Sequence, residues 1–176
     1  NQTHDFSGND YNGVASSIVF NTTGGIIGGA VKLAGTTTSF VNISNNAIAN
    51  LSNFTMDIWF LNLSSLDGRY LMTGANSSQT NQFLLGFANN SRFNLFIDGT
   101  QYTFDKSTPI GTGWHNLVAT RAGSNGTIYL DGTLIQSITI KTTILSVQNN
   151  GFYLGQDQDA VGGGFDGTQA WNGYID

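Results

Sequence analysis

Apolar and polar positions along the chain recur in short runs with a period of two. In Phe54–Leu61 (FTMDIWFL), Phe54, Met56, Ile58 and Phe60 share one face, the signature of a half-buried strand. Similar runs are read at Val14–Phe20, Val31–Leu33, Phe40–Ile43, Arg69–Thr73, Gln82–Phe87, Arg92–Ile97, Thr100–Phe104, Trp114–Arg121, Thr127–Leu130, Thr133–Ile140, Phe152–Leu154 and Ala170–Ile175. Asp98-Gly99 and Asp131-Gly132 are two-residue turns of the kind that close hairpins. FLLGF (Phe83–Phe87) and HNLVAT are apolar on both parities, as in strands whose two faces are both covered. No segment sustains an apolar 3.6 period. About a dozen short strands with turn signals between them predict an all-β, antiparallel sandwich or barrel. There is no linker and no internal repeat, so 1–176 reads as one domain. Residues 1–13 read as a polar lead with turn signals at Ser7-Gly8 and Asn12-Gly13.

Composition narrows the function classes. The net charge is -5 and only 10% of residues are charged, against about 25% in a typical domain. Six Lys plus Arg, scattered, argue against a nucleic-acid partner. No run of eighteen apolar residues predicts a membrane span, and no basic and apolar leader opens the chain, so any signal peptide is expected to be gone already. All eleven acidic residues are Asp. Without Glu, the chain cannot hold an H-E-x-x-H metal motif, and it has no G-x-S-x-G elbow. No strand carries a close pair of carboxylates of the kind glycoside hydrolysis uses; Asp57 stands alone on FTMDIWFL. His115 reads as a packed strand residue, and Trp59 and Trp171 are candidate sugar-stacking platforms that read more readily as core-filling or edge-capping. A non-enzyme is expected.

The densest chemistry lies in Gln156–Gln169 (QDQDAVGGGFDGTQ). It carries Asp157, Asp159 and Asp166 together with the amides of Gln158 and Gln169. Hard cations such as calcium take six to eight oxygens from carboxylates and carbonyls. The turn at Gly162, Gly163 and Gly164 lets Asp166 and Gln169 face Asp157 and Asp159 across one ion. On spacing alone, a solvated acidic loop between two strands is the alternative.

Several pieces resemble the laminin G-like jelly rolls. GWHNLVATRAGSNGTIYLDGTLI (Gly113–Ile135) is similar to their strand-hairpin signature, GGAVKLAGTTTSFVNI (Gly28–Ile43) to their early strands, and DFSGNDYNG (Asp5–Gly13) to their N-terminal segment. YLGQDQDAVGGGFDGTQAWNGYID (Tyr153–Asp176) is close to the calcium loop of pentraxins, a branch of the same concanavalin-like sandwiches. The resemblance implies a jelly-roll β-sandwich with a calcium site. Asp157 would stand where that family has a bridging Glu, Gln158 would give its backbone carbonyl, Asp159 a second carboxylate, and Asp166 and Gln169 the outer ligands. A pair on a distant strand falls at Thr80-Asn81, where Asn81 matches and Thr80 departs. With one shorter carboxylate and one lost, at least one Ca2+ is expected. The resemblance also implies a terminal strand before the Asp5 segment and another after Asp176. Three arrangements are open: a trimmed chain, a Val14–Phe20 that folds back to fill the gap, or a strand supplied by a neighbouring copy.

N-x-S/T sequons occur at Asn1, Asn21, Asn42, Asn50, Asn53, Asn62, Asn76, Asn89 and Asn125. Nine is about double the number that this composition gives by chance, which points to N-glycans and an extracellular setting. Turn sequons, Asn21, Asn76, Asn89 and Asn125, are preferred; Asn42, embedded in a strand, is acceptable only if it faces water. The expected function is a calcium-binding, non-catalytic, extracellular module that assembles with copies of itself as a structural or adhesive element, or, as the alternative, a calcium-dependent lectin-type module that takes glycans.

Overall fold

A computed structural model describes residues 2–176. Strands are numbered in chain order. One sheet has eight, running edge to edge as β1 (Gln2–Thr3), β2 (Gly13–Ser16), β5 (Phe40–Ile43), β14 (Phe152–Leu154), β7 (Tyr70–Asn76), β8 (Gln79–Asn89), β9 (Arg92–Ile97) and β10 (Thr100–Asp105). The other has seven: β13 (Thr133–Thr139), β12 (Asn125–Leu130), β11 (Trp114–Ala122), β6 (Phe54–Asn62), β15 (Asn172–Ile175), β4 (Ala30–Ala34) and β3 (Val19–Asn21). Every pairing is antiparallel, and the sheets pack as a jelly-roll sandwich. Among the described residues, no helix is long and apolar enough to cross a membrane.

The period-two pattern explains the core. Phe54, Met56, Ile58 and Phe60 of β6 point inward to meet Phe83, Leu85 and Phe87 of β8, and all are buried. Trp171 lies fully inside, against Phe60 at 5.6 Å and Phe87 at 5.8 Å between ring centres. Asp98-Gly99 and Asp131-Gly132 both have positive φ at each residue, the geometry of type I′ hairpins, and they join β9 to β10 and β12 to β13 in the expected register.

Two readings need correction. Val14–Phe20 is not one strand. The chain bends at Ser17, where φ is +45°, so β2 pairs with β5 in one sheet and β3 with β4 in the other. The segment thus crosses between the layers: β3 is the edge strand of the seven-stranded sheet, and β2 lies one strand in from the edge of the eight-stranded sheet. The polar lead is also not wholly irregular, because β1 pairs with β2. The β4–β5 connection makes the same crossing one layer further in. Ser39, fully buried, ties the two bends: its hydroxyl donates to Ser17 O at 3.0 Å and accepts from Ala34 N at 2.9 Å.

Candidate functional site: the acidic loop after β14

Gly155 opens the loop. Its φ of +82° turns the chain, and a Cβ there would stand 2.8 Å from Leu33 Cδ1, so only glycine fits without a shift. Its N–H donates to Leu71 O at 2.8 Å and its carbonyl accepts from Trp171 N at 3.0 Å, which closes the neck. Phe165 seats the far arm on the outward side of the eight-stranded sheet, 5.3 Å from the Phe40 ring and 5.2 Å from Tyr153.

Two glutamines brace the near arm. Gln156 Nε2 donates to Thr36 O at 2.7 Å and Ser39 O at 3.0 Å, while its buried Oε1 has no partner. Gln158 Nε2 donates to Gly151 O at 3.0 Å and its Oε1 accepts from Gly162 N at 2.9 Å. The side chain of Gln158 is therefore spent on the loop itself. Arg69 braces the far arm: its Nη1 donates to Gly167 O and to Ala170 O, both at 2.7 Å. Tyr70 N donates to Gln169 O at 3.1 Å, so the main chain of Gln169 is fixed as well.

The carboxylates stand in unequal surroundings. Asp157 is 7% exposed. Burial pushes its carboxyl up to about 6, with repulsion from Asp159 and Asp166 adding to the shift and the Gln158 N–H, at 2.8 Å, opposing it. No basic side chain pairs with Asp157 among the described residues. Asp166 is exposed and held below the usual carboxylate range by the Thr168 N–H and hydroxyl, with Arg69 assisting. Asp159 is exposed.

Of the sequence-expected residues, the fold thus places Asp157, Gln158, Asp159, Asp166 and Gln169 on one braced loop. Asn81 is half-buried on β8, two strands across from β14, with its carbonyl accepting from Gly99 N at 2.9 Å. Among the described residues, no three Asp, Glu, His or Cys side chains converge closely enough to hold a metal by themselves. The donor set is all oxygen and anionic, and a buried carboxylate with carboxylate neighbours and no basic partner suits a hard cation. The residues fit calcium in chemistry, with amide and backbone oxygens needed to complete any shell. Arg69 and Gln156, which shape the loop, carry no spacing signal that marks them in the sequence.

The other singled-out residues divide. His115 lies in β11 with Nδ1 2.8 Å from Asp131 Oδ2 and its ring 5.7 Å from Phe60, a packed residue braced by the hairpin turn. Trp171 fills the core. Trp59 does not: β6 sends its even positions inward, so Trp59 faces out, half-buried, in the middle of a sheet. Asn1 lies outside the described residues. Asn50, Asn53, Asn89 and Asn125 are exposed. The amide nitrogens of Asn42, Asn62 and Asn76 donate to Phe152 O, Ser64 O and Ser146 O, at 3.1, 3.0 and 2.8 Å. Asn21 is half-buried, its Oδ1 accepting from Thr23 N at 3.3 Å.

No curated protein matches the chain in sequence. Solved structures similar to it include domain 4 of AbnA, an extracellular arabinanase of Geobacillus stearothermophilus in complex with arabinotriose, at TM-score 0.72 and 16% identity over 97% of this chain and 82% of that one. A heptameric SAP-like pentraxin of Limulus polyphemus gives 0.57 and 20%, over 71% of this chain and 61% of that one. Domains LG4-5 of the mouse laminin alpha1 chain give 0.66 and 15%, over 88% and 42%. The chain thus spans less than two thirds of the pentraxin and of the laminin fragment. At these identities the likeness shows the fold, a concanavalin-like sandwich. The Laminin_G_3 model of the concanavalin A-like lectin/glucanases superfamily matches residues 35–176, and the chain belongs to that family.

Proposed function

We propose that this domain is a non-catalytic, calcium-dependent glycan-binding module of an extracellular glycoprotein. The observation that carries the reading is Asp157: a buried carboxylate with Asp159 and Asp166 beside it and no basic partner, on a loop braced at both arms. Asp157, Asp159 and Asp166, the Gln158 carbonyl and the Gln169 amide would hold the ion, with Asn81 completing the shell from β8. Calcium bound there offers positions to sugar hydroxyls. The loop residues supply the rest: Arg69 and Gln156 fix the arms, and Phe165 keeps the far arm on the sheet. The arabinotriose complex of the AbnA domain supports a sugar as ligand. Titration calorimetry with calcium and then arabinotriose tests this. The expected result is a calcium-binding isotherm lost in Asp157→Asn and a sugar isotherm lost in chelator. Calcium heats unchanged by Asp157→Asn would overturn the reading.

One observation favours a second reading, self-assembly. Between the edges of the two sheets lies an apolar groove of about 470 Å³, reaching down to Leu33, Val41, Leu154 and Ile175. Phe6, at 96% exposed, and Ile27, at 79%, stand in the water nearby. An open sheet edge beside such a groove is suited to a strand from a second copy. Light scattering of the native protein separates the readings: a monomer at all concentrations discards assembly.

A further inference from the structure

The outward face of the seven-stranded sheet carries a second set of residues with sugar-binding chemistry, on the sheet opposite the one that seats the loop. Register places them. Leu61 pairs with both Trp114 and Tyr174, and Tyr174 pairs with Lys32, so these four side chains form one row across the face. Trp59 and Asn116 form the next row, and Asp57 lies beyond them on β6. Each tryptophan is half-buried, so part of each ring faces water. Two residues along a strand and one strand across separate Trp59 from Trp114 by roughly 8 Å between Cα atoms. The Trp114 ring is steadied by Tyr174 at 6.3 Å, itself under the Lys32 ammonium at 5.8 Å. Beside Trp59, Asn116 Nδ2 donates to Asp57 Oδ1 at 2.6 Å, which leaves Asp57 Oδ2 and Asn116 Oδ1 as acceptors aimed away from protein partners.

We propose that this face binds a linear neutral oligosaccharide independently of calcium, with Trp59 and Trp114 stacking on successive sugar rings and the Asp57–Asn116 pair accepting hydroxyl protons. The chemistry selects the occupant. Aromatic rings with a polar rim suit the apolar flank and hydroxyl edge of a sugar. A hydroxyl donor is complementary to carboxylate and amide acceptors. Among the described outward residues of this sheet Lys32 is the sole ammonium, against Asp57, Asp131 and Asp176, so an acidic polymer is repelled. These strands lie inside the sheet and offer no free backbone edge, so an added peptide strand has nothing to pair with.

The test uses the whole chain in excess chelator, which silences the loop. Arabinotriose, cellotriose and maltotriose are titrated while the three tryptophan indole N–H signals are followed by NMR. Trp171, sealed in the core, is the internal reference. The expected result, with at least one sugar, is saturable shifts of Trp59 and Trp114 with Trp171 still. Trp114→Ala then weakens binding about tenfold, and Asp57→Ala, an exposed change that spares the core, weakens it too. Binding seen only after calcium is added back, or no shift of Trp59 and Trp114 with any of the three sugars, overturns the proposal. Calcium-dependent binding at the loop would leave the proposed function standing, so the two readings fail separately.

Discussion

Gln158 accepts the Gly162 amide at 2.9 Å through the same side chain whose Nε2 donates to Gly151 at 3.0 Å, so one buried amide joins the tip of the acidic loop to the turn before β14. Gln158→Ala leaves the half-buried Gly162 N–H without its acceptor, while Gly151 O keeps the Ala75 N–H at 2.8 Å. The expected cost is about 1–3 kcal/mol, from one N–H left unsatisfied. Denaturant midpoints measure the loss, and amide exchange should show it concentrated in residues 156–169. Uniform loosening of the whole sandwich would contradict the brace.

Asp157 makes stability depend on pH in an unusual direction. Burial pushes its carboxyl up to about 6 in the fold, above the ordinary 3.8 of an exposed aspartate in the unfolded chain. Between those values the folded state holds more protons, so stability falls as pH rises. The full difference approaches about 3 kcal/mol. Without calcium, the denaturant midpoint should drop between pH 4 and pH 6 and then level off. Asp157→Asn should flatten that step. Calcium should raise the midpoint most at the high end, where the carboxylate is charged, because an ion that binds only the native state adds stability by mass action.

Arg121 is 1% exposed, with its guanidinium 5.1 Å from the Phe54 ring centre and its donors on Leu51 O at 2.7 Å and Thr143 O at 2.8 Å. No carboxylate shares the space among the described residues, and burial lowers its affinity for the proton. Arg121→Ala strands the Thr143 carbonyl, leaves Leu51 O with only the Leu145 N–H, and opens a cavity, and is expected to cost about 2–5 kcal/mol. Arg121→Met keeps the packing and should recover part of that loss, read from thermal melts.

Among the sequons, exposure separates the accessible amides from those enclosed by packing. Sugar is expected on Asn50, Asn53, Asn89 and Asn125, which are exposed, and not on Asn62, whose Nδ2 donates to Ser64 O and whose Oδ1 is buried. Peptide mass mapping before and after enzymatic deglycosylation of secreted protein checks each site. A glycan at Asn62 would show that local packing does not govern attachment.

The strand set is legible because its signals are local. Alternation marks β6 and the Asp-Gly pairs mark two hairpins, each with both φ positive. The loop's chemistry is legible too, since three Asp within ten positions stand out in a chain with so few charges. What is hidden depends on partners distant in sequence. VASSIVF holds no breaker, and the bend at Ser17 exists because Ser39, 22 residues on, meets its carbonyl. Gln158 reads as one more oxygen donor until Gly151 and Gly162 are seen to claim its side chain. Trp59 is the opposite case: it reads as core-filling or edge-capping, yet the local parity of β6, set by Phe54 to Phe60, already turns it outward.

The nested bends at Ser17 and Ser39 couple the registers of the two sheets. β2 is laid against β5, β3 against β4, and both pairs are reached through the same two crossings. A slip of one residue in β2 would exchange its inward and outward faces. The bend is too short to absorb that slip, so β3 would have to slip as well and the Ser39–Ser17 hydrogen bond would break. Alternative pairings at this border therefore carry a double penalty. A length change of one residue at Ser17 or Ile18 would act as a frameshift in space on both edges at once, although neither residue touches the acidic loop.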